Sequence, residues 1–306
     1  MSDSFRLEKI PYRRFRDFIA PGADRFAILL ALLEELRLAP SVVTLAGNRH
    51  ILISSETEGH PEERGPAGKG RAADIILAAH YDRAAGSPGA NDNGAAVFML
   101  IETALKMRED KTNPWRIIFT DKEELGPGEG IRDQGSYTLA KHLKEKGFNK
   151  SRVFIFDACG AGDTLIISTM TDRLLKNDRR PGTARTRYLA AQLRGQALKT
   201  ARDILLERVL LLPTPFSDDA GFLRAGIPAQ TITVLPAEEA VPFISFLRNK
   251  PDFADALISR EVQELHGRNF IPATWRSLNG PGDNQSRLTP RHFEQVVRFA
   301  RALCRD

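Results

Sequence analysis

Short apolar runs that end in acidic or imidazole side chains recur along this chain. Ile75-Ile76-Leu77-Ala78-Ala79 has the length and composition of a buried strand and ends in His80-Tyr81-Asp82. Trp115 to Thr120 ends in Asp121-Lys122-Glu123-Glu124-Leu125-Gly126, and Val153 to Phe156 ends in Asp157-Ala158-Cys159-Gly160. Thr164 to Ser168 is expected as a fourth strand beside the third, and Gln230 to Leu235 as a further one. Val42 to Leu45 and His50 to Ser54, around Gly47-Asn48, predict a hairpin at the sheet edge. Helical patterns cover Arg25 to Leu38 (with Asp24 as N-cap), Ala95 to Arg108, Gly135 to Lys146, Ala184 to Glu207 and the turn Ala220 to Ala225. A closing helix is expected over Pro290 to Cys304, with start signals at Thr289 and Pro290. Glu56 to Arg71 reads as an exposed loop.

The alternation predicts an α/β fold, a mixed and mostly parallel central sheet with helices on both faces. Residues 1–306 are expected to form a single domain, in which 237–272 is an insertion whose apolar patches suggest a lid beside the cleft. The balance of 44 Lys+Arg against 39 Asp+Glu is spread along the chain, which gives no support to a nucleic-acid partner. The start MSDSFRLEKIPYRRFRDF has no apolar core of a signal peptide, and Phe26 to Leu33 is too short to span a membrane. With only Cys159 and Cys304 there is no disulfide framework, so the expected location is the cytoplasm, with no membrane partner.

In open α/β sheets ligands bind outside the carboxyl ends of the strands, where His80, Glu123-Glu124 and Asp157 fall. Asp92 follows in Asn91-Asp92-Asn93-Gly94, a stretch that also reads as an N-cap cluster. Carboxylates gathered in one cleft repel unless a positive charge lies among them. A divalent metal is one solution, and a His/Asp/Glu set suits zinc. Two ions about 3.5–4 Å apart, sharing one carboxylate, would form a hydrolytic clamp, leaving one of two successive glutamates free as a base. Solvated loop acids are the competing reading.

These motifs together resemble peptidase family M28, the zinc exopeptidases that include bacterial aminopeptidases and, as relatives, glutaminyl cyclases. His80-Tyr81-Asp82 resembles the family's H-x-D, and Pro88-Gly89-Ala90-Asn91-Asp92-Asn93 its P-G-A-x-D-[ND]. Glu123-Glu124-Leu125-Gly126 with Gly135-Ser136 is similar to E-E-x-G…G-S, and Asp157 to Gly160 to D-M-[IV]-G. Ser217-Asp218-Asp219 with Phe222 and Gly226-Ile227-Pro228 resembles S-D-H-x-x-F…G-[IV]-P. The motifs occur in family order over roughly residues 72 to 304. The resemblance implies that Asp92 bridges two metals, that His80 and Asp157 complete one site, and that Glu124 serves the other. It also makes Glu123 the general base, with Asp82 orienting His80.

The chain departs from the family at the last ligand, where Asn279 of Leu278 to Asn284 stands in place of a histidine. An amide oxygen is a poor donor for zinc, so one tight site and a weak or empty second site are expected, the latter better suited to harder ions. Mn or Co could serve in place of zinc. Asn279 and Asp218 are possible substitute ligands or substrate contacts, and His266 in the insertion is a further candidate. Asp219 replaces the motif's histidine and bears on the substrate side. His50, His60, His142 and His292 are expected to be solvated, and Cys159 to be a buried apolar residue and not a nucleophile. The leading function is a metal-dependent aminopeptidase acting on small peptides. The alternatives are a catalytically impaired binding protein of the same fold and a glutaminyl cyclase-like acyltransferase.

Overall fold

Strand β3 (Ile75–His80) is buried at every position because both faces of the sheet are covered there. Ile75, Leu77 and Ala79 join one apolar cluster while Ile76 and Ala78 join a second on the opposite face. A continuous apolar run is the sequence signature of such a two-sided strand. The computed structural model describes residues 7–55, 75–112, 114–176, 179, 182–258 and 270–305. The expected loop Glu56 to Arg71, His60 and His266 lie outside the described residues.

The eight strands run β1 (Ser41–Leu45), β2 (Asn48–Ser54), β3, β4 (Arg116–Thr120), β5 (Arg152–Phe156), β6 (Thr164–Ser168), β7 (Val209–Leu212) and β8 (Ala229–Leu235). Their order across the sheet is β1-β2-β4-β3-β5-β8-β6-β7. The central strands β4, β3, β5 and β8 are parallel, and β1–β2, β2–β4 and β6–β8 pair antiparallel. The sheet is therefore mixed and mostly parallel at its centre, and the hairpin forms its edge. Register places His80 opposite Thr120, and the offset that pairs Ala78 with Ile155 carries His80 to Asp157. The three strand ends that carry chemistry thus finish in step.

Helices α1 (Tyr12–Ile19), α2 (Arg25–Glu35), α3 (Ala95–Glu109), α6 (Thr183–Asp203) and the closing helix Phe293–Leu303 bury apolar residues on one face. On the other face lie α4 (Gly135–Glu145) and α7 (Asp218–Ala225). Helix α3 has no exposed face from Ala95 to Met107 because the sheet and the closing helix enclose it. Helices α5 (Met170–Lys176) and α8 (Ala237–Asn249) pack on the β6–β7 end of the sheet.

Four local expectations change. Thr164 to Ser168 is a strand, but β8 separates it from β5. Helix α1, to which the sequence pattern assigned no element, forms because Phe15 and Phe18 pack edge-on against Phe98 at 5.2 and 5.5 Å. Strand β7 also had no assignment; it is a short edge strand before a Pro-rich turn. Thr289 and Pro290 do start the closing segment, but as a 3₁₀ turn, Pro290–His292, and the Thr289 hydroxyl accepts from Gly162 N–H instead of capping it.

Two glycines bring the site-bearing elements into contact. A Cβ on Gly135 would lie 1.9 Å from the Asp121 carbonyl, so the start of α4 can pack directly on the loop that follows β4. A Cβ on Gly221 would lie 2.1 Å from Ser136 Oγ and 2.7 Å from the Tyr137 amide. Gly221→Ala is therefore expected to destabilise the protein by about 1–3 kcal/mol through overpacking of α7 against α4. The readout is a lower urea midpoint at unchanged m-value; an unchanged midpoint would show that the two helices separate without penalty.

Candidate metal centre

Three side chains converge at the carboxyl ends of β3 and β5. His80 Nε2 lies 3.0 Å from Asp92 Oδ1 and 3.6 Å from Asp157 Oδ1. One ligand atom from each residue falls within 4.8 Å of the others, the arrangement needed to share a single ion. Both His80 nitrogens and Asp157 Oδ1 are buried, and the polar neighbours of the ring are carboxylates, Asp82 on the Nδ1 side and Asp92 and Asp157 on the Nε2 side. One imidazole nitrogen facing two carboxylate oxygens in a buried crevice is a donor set that fits a zinc-like cation. Asp82 Oδ1 stands 3.3 Å from His80 Nδ1, on the side away from the triad.

Loop side chains outside the sheet hold this geometry. Asp92 belongs to a single wide turn, Ala90–Gly94, that precedes α3, and the Asp92–Asn93 peptide is cis. The two asparagines flanking Asp92 cap no helix, contrary to the N-cap expectation. Asn93 Nδ2 donates to the Phe156 carbonyl at 2.8 Å, and its Oδ1 accepts from Ala158 N–H at 3.2 Å. Asn93 therefore brackets Asp157 from both sides. Asn91 Oδ1 accepts from Gly160 N–H at 2.6 Å. Asp283 accepts from Asn91 N–H at 2.8 Å and Asp92 N–H at 3.0 Å, tying the Asp92 turn to the loop that carries Asn279.

Asp82 has a second task, since it accepts the backbone N–H groups of Glu123 at 3.1 Å and Glu124 at 3.0 Å. Glu123 Oε1 in turn accepts from Gln134 Nε2 at 3.1 Å, and Gln134 Oε1 accepts from Ser136 Oγ at 3.2 Å. Sequence reasoning passed over Gln134 and Asp283. The signal for Gln134 was its place directly before Gly135-Ser136.

Asn279 stands beside Asp92 and Glu124. It adopts φ 61°, a left-handed conformation that asparagine tolerates. With its amide nitrogen turned inward it donates to Glu124 Oε2 at 3.0 Å and to Asp92 Oδ2 at 3.1 Å. The opposite orientation would aim the amide oxygen at both carboxylates. Asp218 is fully buried; Thr120 Oγ1 donates to it, and it lies outside the triad. Asp219 is buried too, accepting from Ser217 N–H at 3.2 Å.

The cleft over the triad is a cavity of about 80 Å³, bordered by Asp92, Glu123, Asp157, Phe216, Trp275 and Asn279 among others. A larger cavity of about 690 Å³ lies beside α7 and the start of α6; it shares Phe216 with the cleft but is lined by none of the triad residues.

Titration follows the crowding. Burial would depress the His80 imidazolium, but Asp157, Asp82 and Asp92 outweigh it and hold the group well above its ordinary value. Burial raises Asp92, despite His80 beside it. Burial, then Asp92, pushes Glu124 up to about 8. Glu123 lies well above its ordinary range through burial, with Glu124, Asp157 and Asp218 adding to it. Such a site holds protons that an arriving cation displaces. Burial also pushes the Cys159 thiol well up; its Sγ donates to the Ile232 carbonyl at 3.3 Å, as suits an inert residue.

His50 corrects the expectation of a solvated side chain. It is fully buried, because β2 pairs with β4 and Gly135 closes over the ring. His50 Nδ1 accepts from Asp121 N–H at 3.2 Å, and burial pushes its pKa down to about 4. His142 and His292 are partly exposed.

Asp219, a buried acid that is not one of the triad but feels the charge of Asp157, gives a test of these electrostatics. Burial raises its pKa from 3.8 to about 7. From about pH 4 to 7 the unfolded chain has released this proton while the folded protein keeps it, so stability falls as pH rises through that window. Asp219→Asn should match the parent near pH 4 and exceed its stability at pH 8 by about 1 kcal/mol or more. Equal midpoints at pH 8 would contradict the shift.

Residues 65–264 match the model of peptidase family M28. Comparison with curated proteins finds no match. Among solved structures, the chain is similar to a zinc aminopeptidase from Bacillus subtilis at 19% identity and TM-score 0.53, covering 83% of this chain and 48% of that one. It therefore spans about half the length of that relative. A Zn-dependent exopeptidase from Parabacteroides distasonis aligns at 14% identity and TM-score 0.61, over 96% of both chains. A glutaminyl cyclase from Porphyromonas gingivalis aligns at 17% identity and TM-score 0.59, over 95% of both. At these identities the likeness is one of fold. The family match extends over more than half of the chain, across the strand ends and turns that build the metal centre; this protein belongs to peptidase family M28.

Proposed function

We propose that this protein is a metal-dependent aminopeptidase that removes the N-terminal residue of small peptides. The observation that carries the reading is the triad of His80, Asp92 and Asp157, with one ligand atom from each within 4.8 Å of the others and Glu123 held in the same cleft by Gln134. The triad would hold a zinc ion, with Mn or Co as substitutes, and such an ion supplies Lewis acidity toward water and the scissile carbonyl. Glu123 takes the proton from the attacking water and delivers it to the leaving amine. Gln134 keeps the carboxylate aimed while it does so. Asp82 fixes the ring of His80 and, through two backbone N–H groups, the place of Glu123. The peptide's α-ammonium group complements the acidic side of the cleft formed by Asp92 and Glu124.

Trp275 walls the cleft and is braced from α8 by Phe243, edge-on at 5.7 Å. This supports reading 237–272 as an elaboration that shapes the entrance. Cys159 and Cys304 are buried and unpaired, in keeping with a reducing cytoplasm. No described helix is long and apolar enough to cross a membrane.

The two alternatives gain less. A cyclase-like centre on Asp92, Glu124 and a terminal histidine has Asn279 at its third position. A non-catalytic binding protein gives no reason for an aimed and buried Glu123.

Glu123→Gln should retain metal and lower turnover about 10²–10⁴-fold. If it loses metal as readily as His80→Ala, Glu123 is a ligand and not the base.

Asn279 supports a single tight ion. Its inward amide donates hydrogen bonds to the carboxylates that a second ion would need. Purified protein should hold about one tightly bound zinc, as three ligands on the triad imply, and Asn279→His should raise the stoichiometry toward two. Two equally tight sites in calorimetric titration of the unmodified protein would refute this.

A further inference from the structure

Arg25 belongs to the first turn of α2, far in sequence from every candidate ligand, yet its side chain ends beneath the metal centre. It is only 5% exposed. Nη1 donates to the carbonyls of Tyr81 and Asp82, both at 3.1 Å. Nη2 donates to the carbonyls of Pro88 and Gly89, both at 2.7 Å. The first pair follows His80 directly, and the second precedes the turn that carries Asp92. One planar cation therefore joins the two segments that set the His80–Asp92 separation. Phe18 lies 4.5 Å under the guanidinium and holds it from the other side.

Four buried or partly buried carbonyl oxygens pointing at one spot repel each other unless a donor with several fixed N–H directions sits between them. A guanidinium has the fork geometry for this; an ammonium is a single point with three rotatable donors. The charge also counts: Arg83, which donates to the same Pro88 carbonyl at 3.3 Å, repels the group, while Asp82, Asp92 and Asp283 attract it. Burial lowers the Arg25 pKa to about 10, which leaves it cationic at neutral pH. The effect reaches the base as well, since the Asp82 side chain anchors the backbone of Glu123 and Glu124.

We propose that Arg25 is a positioning residue of the metal centre: its guanidinium clamps the His80–Asp82 and Pro88–Asp92 segments at the spacing the triad needs, and so sets metal affinity. The affinity part rests on the metallopeptidase reading above. The clamp itself does not, because it is a property of the loops before any ion arrives.

The test is Arg25→Lys in the full chain, which keeps the charge and removes the fork. Zinc affinity, read by chelator competition, should fall about 10–100-fold, the usual loss for a partner that orients ligands. In chelator, amide hydrogen exchange over residues 81–94 should speed up in the variant while the β3 and β5 amides stay protected. A folded Arg25→Lys protein with unchanged zinc affinity or unchanged exchange overturns the proposal. Should the variant fail to fold, exchange in the unmodified protein decides: residues 81–94 must stay protected after zinc is stripped, and exchange at the free-chain rate would show that the ion, not Arg25, organises the loops. If the unmodified protein binds no zinc, the metal reading fails, and the exchange comparison still decides the clamp.

Discussion

Five carboxylates, from Asp82, Asp92, Glu123, Glu124 and Asp157, meet at the carboxyl edge of one sheet around a buried imidazole. Like charges at such range in a poorly solvated crevice cannot all remain ionised without compensation. The raised values at Asp92, Glu123 and Glu124 are that conflict expressed as retained protons. Several neighbours supply positive character or hold a carboxylate in place. His80 lies inside the cluster, Arg25 lies beneath it, and backbone N–H groups of residues 91, 92, 123 and 124 point at acceptors. A divalent cation on the triad would complete the compensation and displace protons as it bound.

The loops that carry the acids are cross-tied rather than separately folded. Asn91 and Asn93 attach the Asp92 turn to the Asp157 loop, Asp283 attaches it to the Asn279 loop, and Asp82 joins the end of β3 to the loop after β4. Each bond satisfies a buried backbone group that would otherwise be costly to desolvate. Satisfying the backbone and aiming the ligands are here the same act.

Asn279 shows how one substitution alters such a balance. An imidazole would offer a lone pair to a cation shared with Asp92 and Glu124. An amide turned inward offers N–H groups to the same two carboxylates. The two acids thereby gain hydrogen-bond partners from the protein itself.

All strands but β7, the two-sided burial of β3 and β5, and the placing of His80, Glu123-Glu124 and Asp157 at strand ends were legible in the chain itself, because apolar runs and their polar stops are local signals. The family motifs added the companion residues in order. Strand neighbours were not legible: nothing in Thr164–Ser168 says that β8 will lie between it and β5, since pairing is settled by chain segments far away. The same holds for the residues that serve the site indirectly. His50 looked like a hairpin surface residue until β4 and Gly135 covered it, and Asn91 and Asn93 looked like helix caps until the Asp157 loop came within reach. Arg25 read as one more charge at the start of an amphipathic helix. Only tertiary packing decided that it would face four carbonyls, because a side chain's hydrogen-bond partners are fixed by which distant backbone arrives beside it.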